Sequence, residues 1–346
     1  MKNRLAYDNI IDFVELPKII KLDDNLYGSA FFLMKLMPAR FILERAEREG
    51  ILKPGSLVAE TTSGTFGLAL AMLCSLKSYK FIMVTDPVVD DALKRRIEDL
   101  GAVVEIVQKP ADIGGYQRSR LDKLVEILKK NSGSFCPSQY ENTNNPAGYS
   151  KFAEILTESV GHIDCLVGTV GSGGSVCGTS KYLRQLFPDL HVVGVDTLGS
   201  VIFGQPDQKR LLRGLGNSLW PDNVDHTVFN EVHWVSAAEA FLATRMLHRK
   251  HALFMGGTSG AAYMVAKWWA EKNPCKIVVC IFPDEGYRYQ DTIYNDRWLE
   301  ENNVKLDKLP NNPIEVKNPI DAKAQWSCIG WNRRDYENVV GKHKGT

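Results

Sequence analysis

Cys165-Leu166-Val167-Gly168-Thr169-Val170-Gly171-Ser172-Gly173-Gly174-Ser175 is the stretch on which the fold turns. An apolar, β-branched run gives way to a glycine- and serine-rich turn, and a helical pattern follows at once. Glycines let a backbone approach an anion closely, amides at a helix start point toward it, and serine hydroxyls add donors, so a phosphate group is a natural guest. The same turn also serves as a plain tight connection. It lacks the Lys-[Ser/Thr] ending of a nucleotide P-loop and does not match Gly-x-Gly-x-x-Gly.

Outward from this joint, β-branched runs recur at 56–59, 80–84, 103–107, 191–195 and 276–281. Helical patterns separate them at 38–49, 91–100, 115–129, 147–160, 175–186, 237–248 and 260–271. Strands spaced by crossover helices predict an α/β fold built on parallel sheet. Two more Gly/Ser/Thr turns have the same strand-to-helix setting: Glu60-Thr61-Thr62-Ser63-Gly64-Thr65-Phe66-Gly67 and Gly256-Gly257-Thr258-Ser259-Gly260. Ligands of parallel sheets bind beyond the carboxyl ends of strands, so the three turns are candidates for one crevice. The competing reading is three unrelated helix N-caps.

A chain of 346 residues suggests two domains. Lys+Arg 42 against Asp+Glu 41 leaves no bulk attraction to nucleic acid or to an anionic membrane. No apolar stretch approaches the roughly 20 residues of a membrane helix. The N-terminal residues lack a secretory pattern, which makes the cytoplasm the expected compartment. Seven scattered cysteines without a Cys-x-x-Cys pair point to reduced thiols, and no metal site is expected. His248-Arg249-Lys250-His251 reads as a helix C-terminus complementing its dipole.

Lys35 stands alone in an apolar run, Phe31-Phe32-Leu33-Met34-Lys35-Leu36-Met37-Pro38. Partial burial would lower its pKa, which is how Schiff-base lysines are prepared; a snorkelling surface lysine is the alternative. The polar stretch 139–146 reads as a seam or a surface loop. Beyond about residue 300 the pattern is lost, and residues 301–346 are expected to form a peripheral tail.

Taken together, these residues resemble the pyridoxal-phosphate enzymes of the cysteine synthase and cystathionine β-synthase type, the fold type II or tryptophan synthase β-like superfamily. The resemblance spans most of the chain, about 35–299, and includes Leu52-Lys53-Pro54-Gly55 leading into the Thr-Ser-Gly turn. Within the superfamily the sequence is most similar to synthases that join O-phospho-L-serine to L-glutamate on the way to 2,3-diaminopropionate. The similar stretches include Gly199-Ser200-Val201-Ile202-Phe203-Gly204 and Pro283-Asp284-Glu285-Gly286-Tyr287-Arg288-Tyr289.

The resemblance implies two parallel-sheet-containing domains with pyridoxal 5'-phosphate in the cleft between them: a smaller one at 40–145, and a larger one from 1–39 plus 146–300. It implies that Lys35 links to the cofactor and later moves the α-proton, that Gly171, Ser172, Gly173, Gly174 and Ser175 hold its phosphate, and that Thr65 and Thr258 flank its ring. Thr62, Ser63, Gly64 and Gln139 match the loop for the substrate α-carboxylate, and Arg120 and Tyr140 match residues suited to an anionic leaving group or second substrate. Small amino-acid substrates, a homodimer and β-replacement on an O-activated serine follow.

The sequence also departs from the family. Leu36-Met37 stand where Asp-Arg is usual, Thr65 where an asparagine is usual, and Gly171 where phosphoserine synthases tend to have serine. Two alternatives therefore remain: a cysteine synthase using sulfide, or a non-catalytic relative acting as a binding or partner protein.

Overall fold

The computed structural model describes residues 6–62, 64–112, 115–212 and 214–341. In chain order, α1 (Ile10–Val14) precedes an antiparallel hairpin of β1 (Lys18–Lys21) and β2 (Leu26–Ala30). Next come α2 (Leu36–Arg48), β3 (Leu57–Thr61), α3 (Thr65–Leu76), β4 (Lys80–Thr85), α4 (Asp91–Asp99), β5 (Val103–Ile106), α5 (Gly115–Lys130) and α6 (Asn144–Ala147). After α7 (Ser150–Val160) follow β6 (Cys165–Thr169), α8 (Gly174–Leu186), β7 (His191–Thr197), β8 (Glu231–Val235), α9 (Ala237–His251), α10 (Gly257–Lys272) and β9 (Val278–Phe282). The last elements are α11 (Asp296–Glu301), β10 (Ile314–Glu315), β11 (Ser327–Gly330) and α12 (Tyr336–Val340).

Two compact units result. Residues through Glu15 group with Leu33–Gly148, and Leu16–Phe32 groups with the chain from Tyr149 onward. In the first unit β3, β4 and β5 form a parallel sheet in that order, with Val58 opposite Phe81 and Val84 opposite Glu105. Helix α3 is apolar from Phe66 to Cys74 and buried along that whole run, as an apolar run without amphipathic contrast requires. On α5, Leu124 and Ile127 pack against Ala59 and Val84 of the sheet.

The second unit is built on an eight-stranded sheet ordered β1-β2-β9-β6-β7-β8-β11-β10. Strands β2, β9, β6, β7 and β8 are parallel, so their carboxyl ends lie along one edge. Helices α9 and α10 pack in its apolar core. They approach so closely at Gly260 that an added Cβ would lie 2.3 Å from the Ala240 carbonyl oxygen, which only glycine avoids. His248, Arg249, Lys250 and His251 form the last turn of α9, as expected. No helix among the described residues is long and apolar enough to cross a membrane.

Two expectations of domain layout need correction. The residues before 40 do not all join the larger unit: Arg40 on α2 donates to Asp12 at 2.7 Å and to Glu15 at 2.9 Å, which ties α1 to the smaller unit. Nor is the chain after residue 300 a peripheral tail. Strand β11 pairs antiparallel with β8, β10 pairs with β11, and Trp326 and Trp331 are fully buried. Their burial is what draws a segment of weak local pattern into the sheet.

Candidate active site

In the first unit, the candidate residues gather around the carboxyl end of the three-stranded sheet. Strand β3 ends at Thr61, and the Thr62 hydroxyl accepts from the Gly64 amide at 3.2 Å, folding the turn that starts α3 at Thr65. Ser63 lies outside the described residues. Lys35 directly precedes α2, with its Nζ 5.9 Å from the centroid of Phe66, the residue after Thr65. The side chain is half-buried by surface, yet burial of its ammonium pushes the pKa down to about 8. That is the direction in which burial shifts an amine.

Gln139 and Tyr140 lie in the turn before α6. Gln139 is buried, and its amide donates to Glu60 Oε2 at 3.2 Å, while Glu60 Oε1 accepts from the Thr61 amide at 2.8 Å. The carboxylate that closes β3 thus brings together the Thr62–Gly64 turn and Gln139. Arg120, on α5, forms a 2.9 Å ion pair with Asp86 just beyond β4, and both side chains are nearly covered. Its Nε is buried without a hydrogen-bond partner among the described residues.

In the second unit, β6 leads through Val170 into Gly171, Ser172 and Gly173, and α8 begins at Gly174. Gly173 has φ +84°, and an added Cβ would lie 2.5 Å from the Asn223 carbonyl oxygen. Both conditions exclude a side chain. The space an added Cβ would take at Gly171 is bounded by Gly214 O at 3.4 Å, and that at Gly214 by Thr258 Cγ2 at 3.5 Å. The glycine turn and Thr258, the second residue of α10, therefore belong to one local neighbourhood.

The three Gly/Ser/Thr turns share a further property. Helices α3, α8 and α10 begin after Gly64, Gly173 and Gly256, and none receives a side-chain cap. Asp90, Ser236 and Asn295 each accept from a first-turn amide, whereas α2, α6 and α7 also start without a side-chain cap. The first-turn amides of α3, α8 and α10 are thus not taken up by a capping side chain. Helix starts whose amides no side chain caps are the form that anion-binding sites take.

A family model described as pyridoxal-phosphate dependent enzyme matches residues 15–284. The chain belongs to this family of pyridoxal-phosphate dependent enzymes. Among its relatives, N-(2-amino-2-carboxyethyl)-L-glutamate synthase of Cupriavidus metallidurans is 36% identical over 272 residues, 77% of this chain and 80% of the relative. A hydrogen sulfide-producing enzyme from Fusobacterium nucleatum is 25% identical with TM-score 0.76, over 82% of this chain and 100% of that one. The O-acetylserine dependent cystathionine beta-synthase from Helicobacter pylori is 25% identical with TM-score 0.77, over 84% and 99%. These neighbours share the type II fold expected from the sequence.

The residues of this pyridoxal-phosphate dependent enzyme fit its cofactor. Gly173 lets the 171–175 turn close against the Asn223 backbone and start α8 without a side-chain cap, so first-turn amides are available as donors to a phosphate, and Lys35 is an amine whose charged form is disfavoured. Sequence reasoning did not single out Glu60 or Asp86 as parts of the site. The available signal was positional: Glu60 is the penultimate residue of β3, and Asp86 directly follows Thr85, the last residue of β4.

Proposed function

We propose that this enzyme catalyses β-replacement on an O-activated L-serine, with O-phospho-L-serine as donor and an amino-acid amine, L-glutamate, as nucleophile. The observation that carries the reading is Lys35: among the described residues it is the lysine whose pKa burial lowers, and it lies beside the start of α3. A pKa of about 8 leaves about a tenth of the amine neutral at pH 7, against well under a thousandth for an ordinary lysine. The related N-(2-amino-2-carboxyethyl)-L-glutamate synthase supports the choice of L-glutamate as nucleophile.

When bound, the cofactor supplies an electron sink for the charge left as the α-proton departs. Lys35 holds the cofactor through its amine and, once released, takes the proton from the substrate α-carbon and returns one after addition. Amides of 171–175 hold the phosphate, and Thr65 borders the ring. Thr258 would offer the ring nitrogen a neutral hydroxyl, which need not keep it protonated and would favour loss of the β-substituent. Thr62, Ser63, Gly64 and Gln139 fix the α-carboxylate. Arg120, with Tyr140, meets the leaving anion or the second substrate as a forked donor already held by Asp86. A homodimer accompanies this reading, and sedimentation would count its subunits.

The test is purified enzyme with pyridoxal phosphate and O-phospho-L-serine, with and without L-glutamate. Phosphate release and a new glutamate adduct are expected. Lys35→Ala should lose both, together with the visible absorbance of the lysine-linked cofactor, while keeping wild-type circular dichroism. No phosphate release by the loaded wild-type enzyme would overturn the proposed donor. Gly171 favours a second reading, an O-acetylated donor with sulfide, which the assay detects as cysteine when O-acetyl-L-serine and sulfide replace the two substrates.

A further inference from the structure

Glu60 is 1% exposed, and no cation is among the groups that govern its charge. Glu141 and the Cys136 thiol are the titratable groups facing it, and neither favours a carboxylate. A buried charge without a counter-ion is costly unless hydrogen bonds offset it, and here backbone amides do so. We propose that Glu60 is a positioning residue for the donor α-carboxylate, its two oxygens tying the Thr62–Gly64 turn and Gln139 into one rigid subsite. The inference rests on the proposed function, which places the carboxylate there.

The geometry is specific. Oε1 accepts from Thr61, one residue before the turn, at 2.8 Å, and Oε2 accepts from Gln139 at 3.2 Å. The other side of Gln139 is held as well, since Asn145 Nδ2 donates to its carbonyl at 2.6 Å. The preceding residue, Ser138, has φ +50°, a left-handed conformation that a non-glycine residue keeps only when its surroundings enforce it. Gln139 is thus clamped from β3 and from α6. A glutamine at 60 would fill the same space, but its NH2 would have to face one of the two amides that now donate.

Burial raises the Glu60 pKa to about 7, with the amides of Thr61, Gln139 and Ser138 opposing the shift. Ionisation is therefore centred near neutrality. On the acid side the oxygen that gains the proton ceases to be a good acceptor, so one arm of the clamp loosens and the carboxylate subsite loses definition.

The test compares Glu60→Gln and Asn145→Ala with wild type, all as holoenzyme. Glu60→Gln is expected to raise KM for the amino-acid donor by about tenfold or more, the worth of a hydrogen bond to a charged acceptor, with a smaller change in kcat. It should also abolish the acid limb of kcat/KM near pH 7 and speed amide exchange in the peptide spanning 135–145, while cofactor retention stays unchanged. Asn145→Ala should raise KM and speed exchange but keep the acid limb. Unchanged KM, pH profile and exchange in Glu60→Gln would overturn the proposal. If the wild-type enzyme binds no serine derivative, the functional reading falls, and faster exchange in Glu60→Gln would then show that the tie exists without its assigned substrate.

Discussion

At the scale of single residues, the glycines of the 171–175 turn are not equivalent. Gly173 combines φ +84° with a backbone oxygen 2.5 Å from any added Cβ, whereas the nearest atom to one at Gly171 is at 3.4 Å. Gly173→Ala should therefore cost about 1–3 kcal/mol in local strain and displace the start of α8. Gly171→Ser should be accommodated with small adjustments. The measurement is pyridoxal phosphate retained after dialysis: Gly173→Ala should lose most of it and Gly171→Ser should keep it. Equal retention would mean that the turn does not hold the phosphate. Lys35 and this turn could be read from sequence because each breaks a local rule: a lone amine in an apolar run, and glycines at a strand–helix joint. Glu60 could not, because an acid at a strand end reads as solvated until the Gln139 amide is seen to cover it.

At the scale of elements, legibility followed burial on both faces. Strands β3, β4, β6, β7 and β9 are parallel and apolar, and their positions were expected from sequence. The hairpin was missed because β2 reads Leu26-Tyr27-Gly28-Ser29-Ala30, with little β-branched content, and takes its place from pairing with β9. In β8, His233 and Glu231 obscure the pattern, and only the structure shows Glu231 bridging His191 and His233. Strand β11 is anchored from its flanks: Trp326 donates its amide to Glu239 and its ring N–H to His233, and the Trp331 amide donates to Asn230. If these tryptophans hold the late strands in the sheet, Trp331→Ala should cost about 3–5 kcal/mol. A thermal midpoint within a degree or so of wild type would make β11 an appendage.

At the scale of the whole molecule, two of the buried carboxyl groups have pKa values raised by burial to about 7: Glu60 in the first unit and Asp196 at the end of β7 in the second. Burial raises Glu60 from 4.5 to about 7 and Asp196 from 3.8 to about 7, against opposition from backbone amides and, for Asp196, from Ser200 and Arg210. Between their unfolded and folded pKa values the folded chain binds more protons than the unfolded one, so rising pH removes stability. The slope reaches about 1.4 kcal/mol per pH unit for each group. His226 and His233, whose pKa values burial lowers, act in the opposite sense as they deprotonate, so the raw curve mixes the two effects. The difference between wild type and a Glu60→Gln, Asp196→Asn double variant isolates the carboxyls. The gap between their melting temperatures should widen from pH 5 to pH 8, with wild type losing stability relative to the variant as pH rises. A gap that stays constant across that range would mean the two acids ionise as they do in the unfolded chain. If the gap opens while Glu60→Gln also weakens donor binding, the acid at 60 is retained at the expense of stability, as expected for a group whose role is to hold a substrate loop in place.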